Sequence, residues 1–204
     1  MIKIAFVGAP GSGKTTISTQ VFSELKIKGF RTEHVHEWIR NDIQKHGAMT
    51  SIWEQYRTRQ HQKDLEDAVP ETIEYCILDG GIILPYFYSV LYANPTEPRQ
   101  RLVLQDMYKY LLDDIYLNRY DMIFYVPLIA SADLNDGTRY QTDEEVQTLD
   151  EHMRLIFTKL HSKNTHTVSD GFDKRLEEVM KIILSNVDSE SKNDILHLFN
   201  EIEI

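Results

Sequence analysis

Hydrophobic positions fall into short dense runs separated by longer stretches of mixed spacing. Ile2-Lys3-Ile4-Ala5-Phe6-Val7, Tyr75-Cys76-Ile77-Leu78 and Met122-Ile123-Phe124-Tyr125-Val126 are nearly continuous apolar blocks. That density predicts strands buried on both faces, as in a parallel sheet. Thr32 to His36 and His166-Thr167-Val168 are weaker blocks of the same kind. Between them apolar residues recur every three to four positions, which predicts helices over Thr16–Lys28, Glu37–Lys45, Ile52–Ala68, Ile82–Tyr92, Arg99–Tyr116, Thr142–Leu160 and Asp173–Ser185. Gly29, Gly47, Pro70, the Pro95/Pro98 loop and Pro127 punctuate the pattern as stop signals. Strands alternating with helices predict an α/β fold, a five-stranded parallel sheet with helices on both faces and ligands at the carboxyl ends of the strands. The expected division is one domain over residues 1–186 and a short amphipathic tail over 187–204. In the tail, Ile195, Leu196, Phe199 and Ile202 would pack on the domain or on a partner.

The first strand runs straight into Gly8-Ala9-Pro10-Gly11-Ser12-Gly13-Lys14-Thr15, a full match to G-x-x-x-x-G-K-[ST], and a helix comes next. Strand, glycine-rich loop and helix make a phosphate cradle. Glycines let the backbone curl until successive N–H groups face one anion, and the helix dipole adds positive potential. Gly8, Pro10, Gly11, Ser12, Gly13, Lys14, Thr15 and Thr16 are therefore the expected nucleotide-binding residues, with Lys14 on the β- and γ-phosphates and the Thr15 hydroxyl on Mg²⁺. ATP and Mg²⁺ are the cofactors this implies.

Ligands at the strand ends would meet the residues just past each strand. Asp79 ends an apolar block as a Walker-B-type acid does, and can hold Mg²⁺ or accept a proton. Glu37 comes directly after strand two, where it could act as general base, with Arg40 one turn on as a phosphate or substrate clamp. After strand four comes a polar segment containing Asp136-Gly137-Thr138-Arg139, a candidate lid that would bring the Arg139 guanidinium to the transferring phosphoryl group. The expected catalytic set is Lys14, Asp79, Glu37 and Arg139. The third helix carries Trp53, Arg57, Gln60, His61 and Asp64 at helical spacing; Arg57 and His61, with His36 and Arg40, are the expected acceptor contacts. Tyr86-Phe87-Tyr88 reads as aromatic packing. The eight histidines show no zinc-ligand spacing.

Charge and cysteine usage narrow the partners. With 22 Lys+Arg against 32 Asp+Glu, the net charge of −10 argues against a broad nucleic-acid footprint, so a DNA acceptor is disfavoured. No apolar run is long enough to span a membrane, and no signal-peptide pattern opens the sequence. Cys76 is the only cysteine, which fits a reducing cytoplasm. A GTPase-type N-K-x-D segment is absent, which weighs against a switch protein.

In this order of motifs the chain resembles the P-loop kinase-like family that includes the nicotinamide riboside kinase domain of a bacterial NAD regulator, and related phage nucleotide and DNA-base kinases. The resemblance rests on Gly8 to Thr15, His36-Glu37-Trp38-Ile39-Arg40, Gln60-His61, Ile77-Leu78-Asp79, Tyr120-Asp121-Met122 and Asp136-Gly137-Thr138-Arg139. It implies a P-loop NTPase fold of the nucleoside/nucleotide kinase type and transfer of the ATP γ-phosphate to a hydroxyl of a nucleoside-like or nucleotide acceptor. Phage relatives that phosphorylate hydroxymethylpyrimidines in DNA mark a second option. Asp79-Gly80-Gly81 stands where the regulator-like domains carry a more polar continuation.

Overall fold

Five strands, three of them dense apolar runs, form one parallel sheet. The computed structural model describes residues 1–129, 140–160, 162–169, 171 and 174–185. The elements run β1 (Ile2–Val7), α1 (Lys14–Ile27), β2 (Thr32–Val35), α2 (Trp38–His46), α3 (Ile52–Asp67), β3 (Tyr75–Asp79), α4 (Leu84–Tyr92), α5 (Pro98–Tyr116), β4 (Met122–Tyr125), α6 (Asp143–Lys159) and β5 (Thr165–Thr167), and then a helix over 174–185, α7. The strand order is β2-β3-β1-β4-β5 with every pair parallel. The expected α/β architecture is this one. Boundaries move by one or two residues: β2 ends at Val35 rather than His36, and α1 begins at Lys14, because Gly13 takes a left-handed φ of 87° and ends the loop there. The proposed tail over 187–204 lies outside the described residues.

Alternation along the central strands sorts the core into two layers. Ala5, Val7, Cys76 and Leu78 face α4, α5 and α6, while Ile4, Phe6, Ile77 and Phe124 face α1 and α7. Phe6 and Phe124 stack at 5.3 Å across neighbouring strands. All residues of β3 and β4 are buried, the signature of strands covered on both sides. Capping boxes fix two helix starts, Ser51 with Glu54 on α3 and Thr142 with Glu145 on α6, each such cap contributing about 1 kcal/mol. Cys76 is fully buried and its thiol is pushed up to about 12, chiefly by that burial. No helix among the described residues is long and apolar enough to cross a membrane.

A buried network shapes the turn after β3. The Ile82 amide donates to both Glu66 Oε1 (3.1 Å) and Tyr120 Oη (2.9 Å), and the Tyr120 hydroxyl donates to the Glu66 carboxylate. Arg119 pairs with Glu66 at 3.2 Å. The backbone can reach this grip only through two positive-φ residues, Gly80 (101°) and Gly81 (78°). A Cβ on Gly81 would sit 2.8 Å from Tyr120 Oη. Gly81→Ala is therefore expected to destabilise the fold by about 1–3 kcal/mol, from left-handed strain and displacement of a buried hydroxyl. Denaturant titration checks this; an unchanged midpoint would show that the turn relaxes freely.

Candidate active site

Register places three strand ends side by side. Asp79 of β3 lies opposite Phe6 of β1, and Val7 opposite Tyr125 of β4. The ladder continues one step into the loops: Gly80 N–H donates to Phe6 O at 2.9 Å and Val126 N–H to Val7 O at 2.7 Å. The phosphate loop thus leaves β1 between the Asp79-Gly80-Gly81 turn and the Val126-Pro127 segment. The crowding there explains Gly8: a Cβ would lie 2.4 Å from both Ser12 Oγ and Val126 O. β2 pairs with β3 as far as Val35 opposite Leu78, so Glu37 emerges just beyond the strand end. Its carboxyl carbon would lie 3.6 Å from a Cβ on Gly80, which places it against the same turn. The Gln62 side-chain carbonyl accepts the Trp38 N–H at 2.8 Å and anchors α2 behind Glu37.

Lys14 and Glu37 form an ion pair at 3.6 Å, both largely shielded from solvent. Burial raises the Glu37 pKa; Lys14 opposes that rise and Asp79 adds to it, with a net shift upward. Burial pulls Lys14 down, but the Glu37 and Asp79 carboxylates outweigh it and hold the ammonium above its usual value. Asp79 is 2% exposed, and its Oδ1 makes no hydrogen bond. Such a buried oxygen is costly unless an ion or water completes it. Burial and the charge of Glu37 push the Tyr88 phenol well above its usual value, so it stays a hydrogen-bond donor.

Lys14, Glu37 and Tyr88 line a cavity of about 860 Å³. Pro10, Gly11, Gly13, Lys14, Thr15 and Thr16 line its phosphate-loop end. Glu37 and Arg40 stand on the wall, and Ile39, Ile43, Met49, Leu84, Pro85 and Tyr88 make an apolar compartment with Gln55 and Thr58. Tyr140 and Gln141 close one side, Gln141 donating to Tyr92 Oη at 2.8 Å. Of the remaining loop residues, Gly8 and Ser12 are buried behind the cradle. The loop backbone, Thr15 and the buried, unbonded Asp79 oxygen behind them fit a Mg²⁺–nucleotide: amide donors, a lysine, one hydroxyl and one carboxylate suit a metal that keeps waters and phosphate oxygens as its other ligands. No cluster of three or more His, Cys, Asp or Glu able to hold a metal occurs among the described residues.

The structure brings Lys14, Thr15, Glu37 and Arg40 together on the cavity wall, with Asp79 buried behind them. It does not bring His36, Arg57 or His61 there. His36 is exposed and packs edge-on against His34 at 4.5 Å. Arg57 and His61 flank Trp38, with the Arg57 guanidinium 6.0 Å and the His61 ring 4.3 Å from the indole, and Arg57 pairs with Asp42 at 3.7 Å. The reason is helical phase. The inward stripe of α3 is Ile52, Gln55, Thr58, Gln62 and Glu66, so residues 57 and 61 lie off that stripe. Trp53, Gln60 and Asp64 are likewise off it. Arg139 lies outside the described residues, as do Asp136, Gly137 and Thr138. Sequence reasoning missed Gln55 and Thr58, although Ile52 with a three-to-four-residue step would have found them. Of Tyr86-Phe87-Tyr88, the first two pack in the core and Tyr88 reaches the cavity.

Residues 3–175 match the protein family described as an AAA domain. No curated protein sequence matches the chain. Among solved structures, the chain is similar to the NadR protein in complex with NR, with TM-score 0.70 and 16% identity over 89% of this chain and 50% of that one. It therefore spans half the length of that protein. Deoxyadenosine kinase from M. mycoides with bound dATP is similar with TM-score 0.57 and 18% identity, over 90% of this chain and 99% of that one. Thymidylate kinase from Ehrlichia chaffeensis gives TM-score 0.61 and 16% identity, over 89% and 98%. At these identities the likeness is one of fold.

Proposed function

The chain belongs to that AAA-domain family, and from this premise we propose that it is a Mg²⁺–ATP-dependent kinase that transfers the γ-phosphate to a hydroxyl of a nucleoside-like acceptor. The observation that carries this reading is the meeting of Lys14 and Glu37, 3.6 Å apart, in a cavity whose wall also carries the apolar side chains Ile39, Ile43, Met49 and Leu84. A phosphate-handling cation and a proton-accepting carboxylate share one point, beside room for a second substrate. A nucleotide switch or motor has no use for that second compartment.

The loop amides and Lys14 would hold the triphosphate of ATP, and Thr15 with Asp79 would hold Mg²⁺. When bound, Mg²⁺ neutralises charge on the phosphate oxygens. Glu37 takes the proton from the acceptor hydroxyl as that oxygen bonds to the γ-phosphorus and the bond to ADP breaks. Its raised proton affinity suits the task. Arg40 stands at the cavity wall, where its planar guanidinium can hold an acceptor oxygen. Ile39, Ile43, Met49 and Leu84 enclose a flat heterocycle, and Gln55, Thr58 and Tyr88 supply a few oriented hydrogen bonds, the usual make-up of a small-molecule site. Arg139 keeps its proposed role of stabilising charge on the transferring group. The single buried thiol fits a reducing cytoplasmic setting.

Phosphorylation with labelled ATP, at low and high salt, separates the acceptors. Free nucleosides are expected to be labelled with weak salt dependence. Labelling of hydroxymethylated DNA alone, falling steeply with salt, would move the acceptor to a polymer. The metal assignment has its own test. Asp79→Asn keeps shape and removes charge. It is expected to raise the Mg²⁺ concentration for half-maximal rate about tenfold or more, the equivalent of roughly 1.4 kcal/mol. An unchanged Mg²⁺ titration would take Asp79 out of the metal site.

A further inference from the structure

Arg175, on the first turn of α7, is among the largest fully buried side chains, at 2% exposure. Its guanidinium reaches three loops at once. Nη1 donates to Ser12 O at 2.6 Å, Nη2 to Pro127 O at 2.9 Å and Nε to Ser169 O at 3.0 Å. Those carbonyls belong to the phosphate loop, the segment after β4 and the segment after β5. We infer that Arg175 is a positioning residue for the nucleotide, aiming the Gly13 amide of the phosphate loop into the cradle from behind.

Peptide planarity links the two sides of the loop. The carbonyl of Ser12 and the N–H of Gly13 belong to one rigid trans unit and point in opposite directions. Holding the Ser12 oxygen on the buried side turns the Gly13 N–H toward the cavity, and Gly13 lines that cavity. The hold matters because Gly11 (φ 80°) and Gly13 (φ 87°) sit in conformations open to glycine, where the backbone has most freedom to turn away. A charged donor at 2.6 Å also polarises the peptide and strengthens the N–H on its far side. The Pro127–Leu128 peptide is clamped in the same way: Arg175 takes its carbonyl, and Asp150 Oδ1 takes the Leu128 N–H at 3.1 Å.

This inference rests on the reading of the loop as a nucleotide site, so the test reads ATP binding directly as well as turnover. A fluorescent ATP analogue with Mg²⁺ is titrated into wild type, Arg175→Lys and Arg175→Ala, and acceptor KM and thermal midpoint are measured alongside. Arg175→Lys keeps the charge and loses the fork. It is expected to weaken nucleotide binding about tenfold or more while acceptor KM stays within about twofold. Arg175→Ala is expected to bind more weakly still and to recover affinity in millimolar guanidinium but not in ammonium. If Arg175→Ala does not fold, Arg175→Lys decides alone. A folded Arg175→Lys with wild-type nucleotide affinity would overturn the inference. So would a parallel loss of acceptor and nucleotide binding with a lowered midpoint, or a folded Arg175→Ala that guanidinium does not rescue. Wild type that fails to bind the analogue would instead overturn the nucleotide-site reading itself.

Discussion

Lys14→Ala is expected to abolish measurable phosphoryl transfer while leaving a folded protein. The loss should reach about three orders of magnitude or more, because charge stabilisation of the transferring group carries most of this chemistry. The fold should persist for reasons visible around the residue. Lys14 is the first residue of α1, where alanine is a strong helix former. Removing the ammonium leaves Glu37 without its ion partner, but burial and Asp79 already raise that carboxyl's proton affinity, which lessens the cost of losing the cation. ADP release measured beside circular dichroism melting separates the two effects. A folded variant that retains near-wild-type turnover would remove Lys14 from the mechanism, and the kinase reading with it.

Glu37→Gln is expected to give the second largest effect, and a different pattern. If Glu37 is the proton acceptor, kcat falls by about 10²- to 10⁴-fold. The KM for ATP stays level or drops, since the amide no longer competes for the Lys14 ammonium. The pH profile supplies the sharper evidence. Only the ionised carboxylate can accept a proton, so wild-type kcat/KM is lost as pH falls through the Glu37 pKa of the free enzyme. Burial and Asp79 set that pKa above the usual carboxylate value, and the acid limb should sit correspondingly high. In Glu37→Gln this limb should vanish. A variant with raised ATP KM and an intact acid limb would mean that Glu37 only anchors Lys14.

Much of the frame was legible in the chain because the signals were local. The apolar blocks at Ile2–Val7 and Tyr75–Asp79 are strands dense enough to need covering on both faces, and their ends carry the phosphate loop and Asp79. Parallel register did the rest by bringing Glu37, just past β2, to the same edge. The cavity wall proposed for the acceptor was less legible. Arg57 and His61 looked chemical, yet the phase of α3 points Gln55 and Thr58 inward, and that phase is set by tertiary packing of Ile52 and Glu66. Long-range polar ties left no local trace. Tyr120 and Glu66 are separated by 54 residues, and Arg175 reaches Ser12 across 163.

At the centre of the proposed mechanism, one phosphoryl group passes from ATP to an acceptor hydroxyl held in the cavity beside Glu37. Phosphorus-31 NMR of the protein with ATP, Mg²⁺ and a mixture of free nucleosides observes that transfer without coupling enzymes. A new phosphomonoester resonance is expected to rise in step with ADP and to disappear in Lys14→Ala. Inorganic phosphate rising alone with ADP, with the nucleosides untouched, would contradict the kinase assignment.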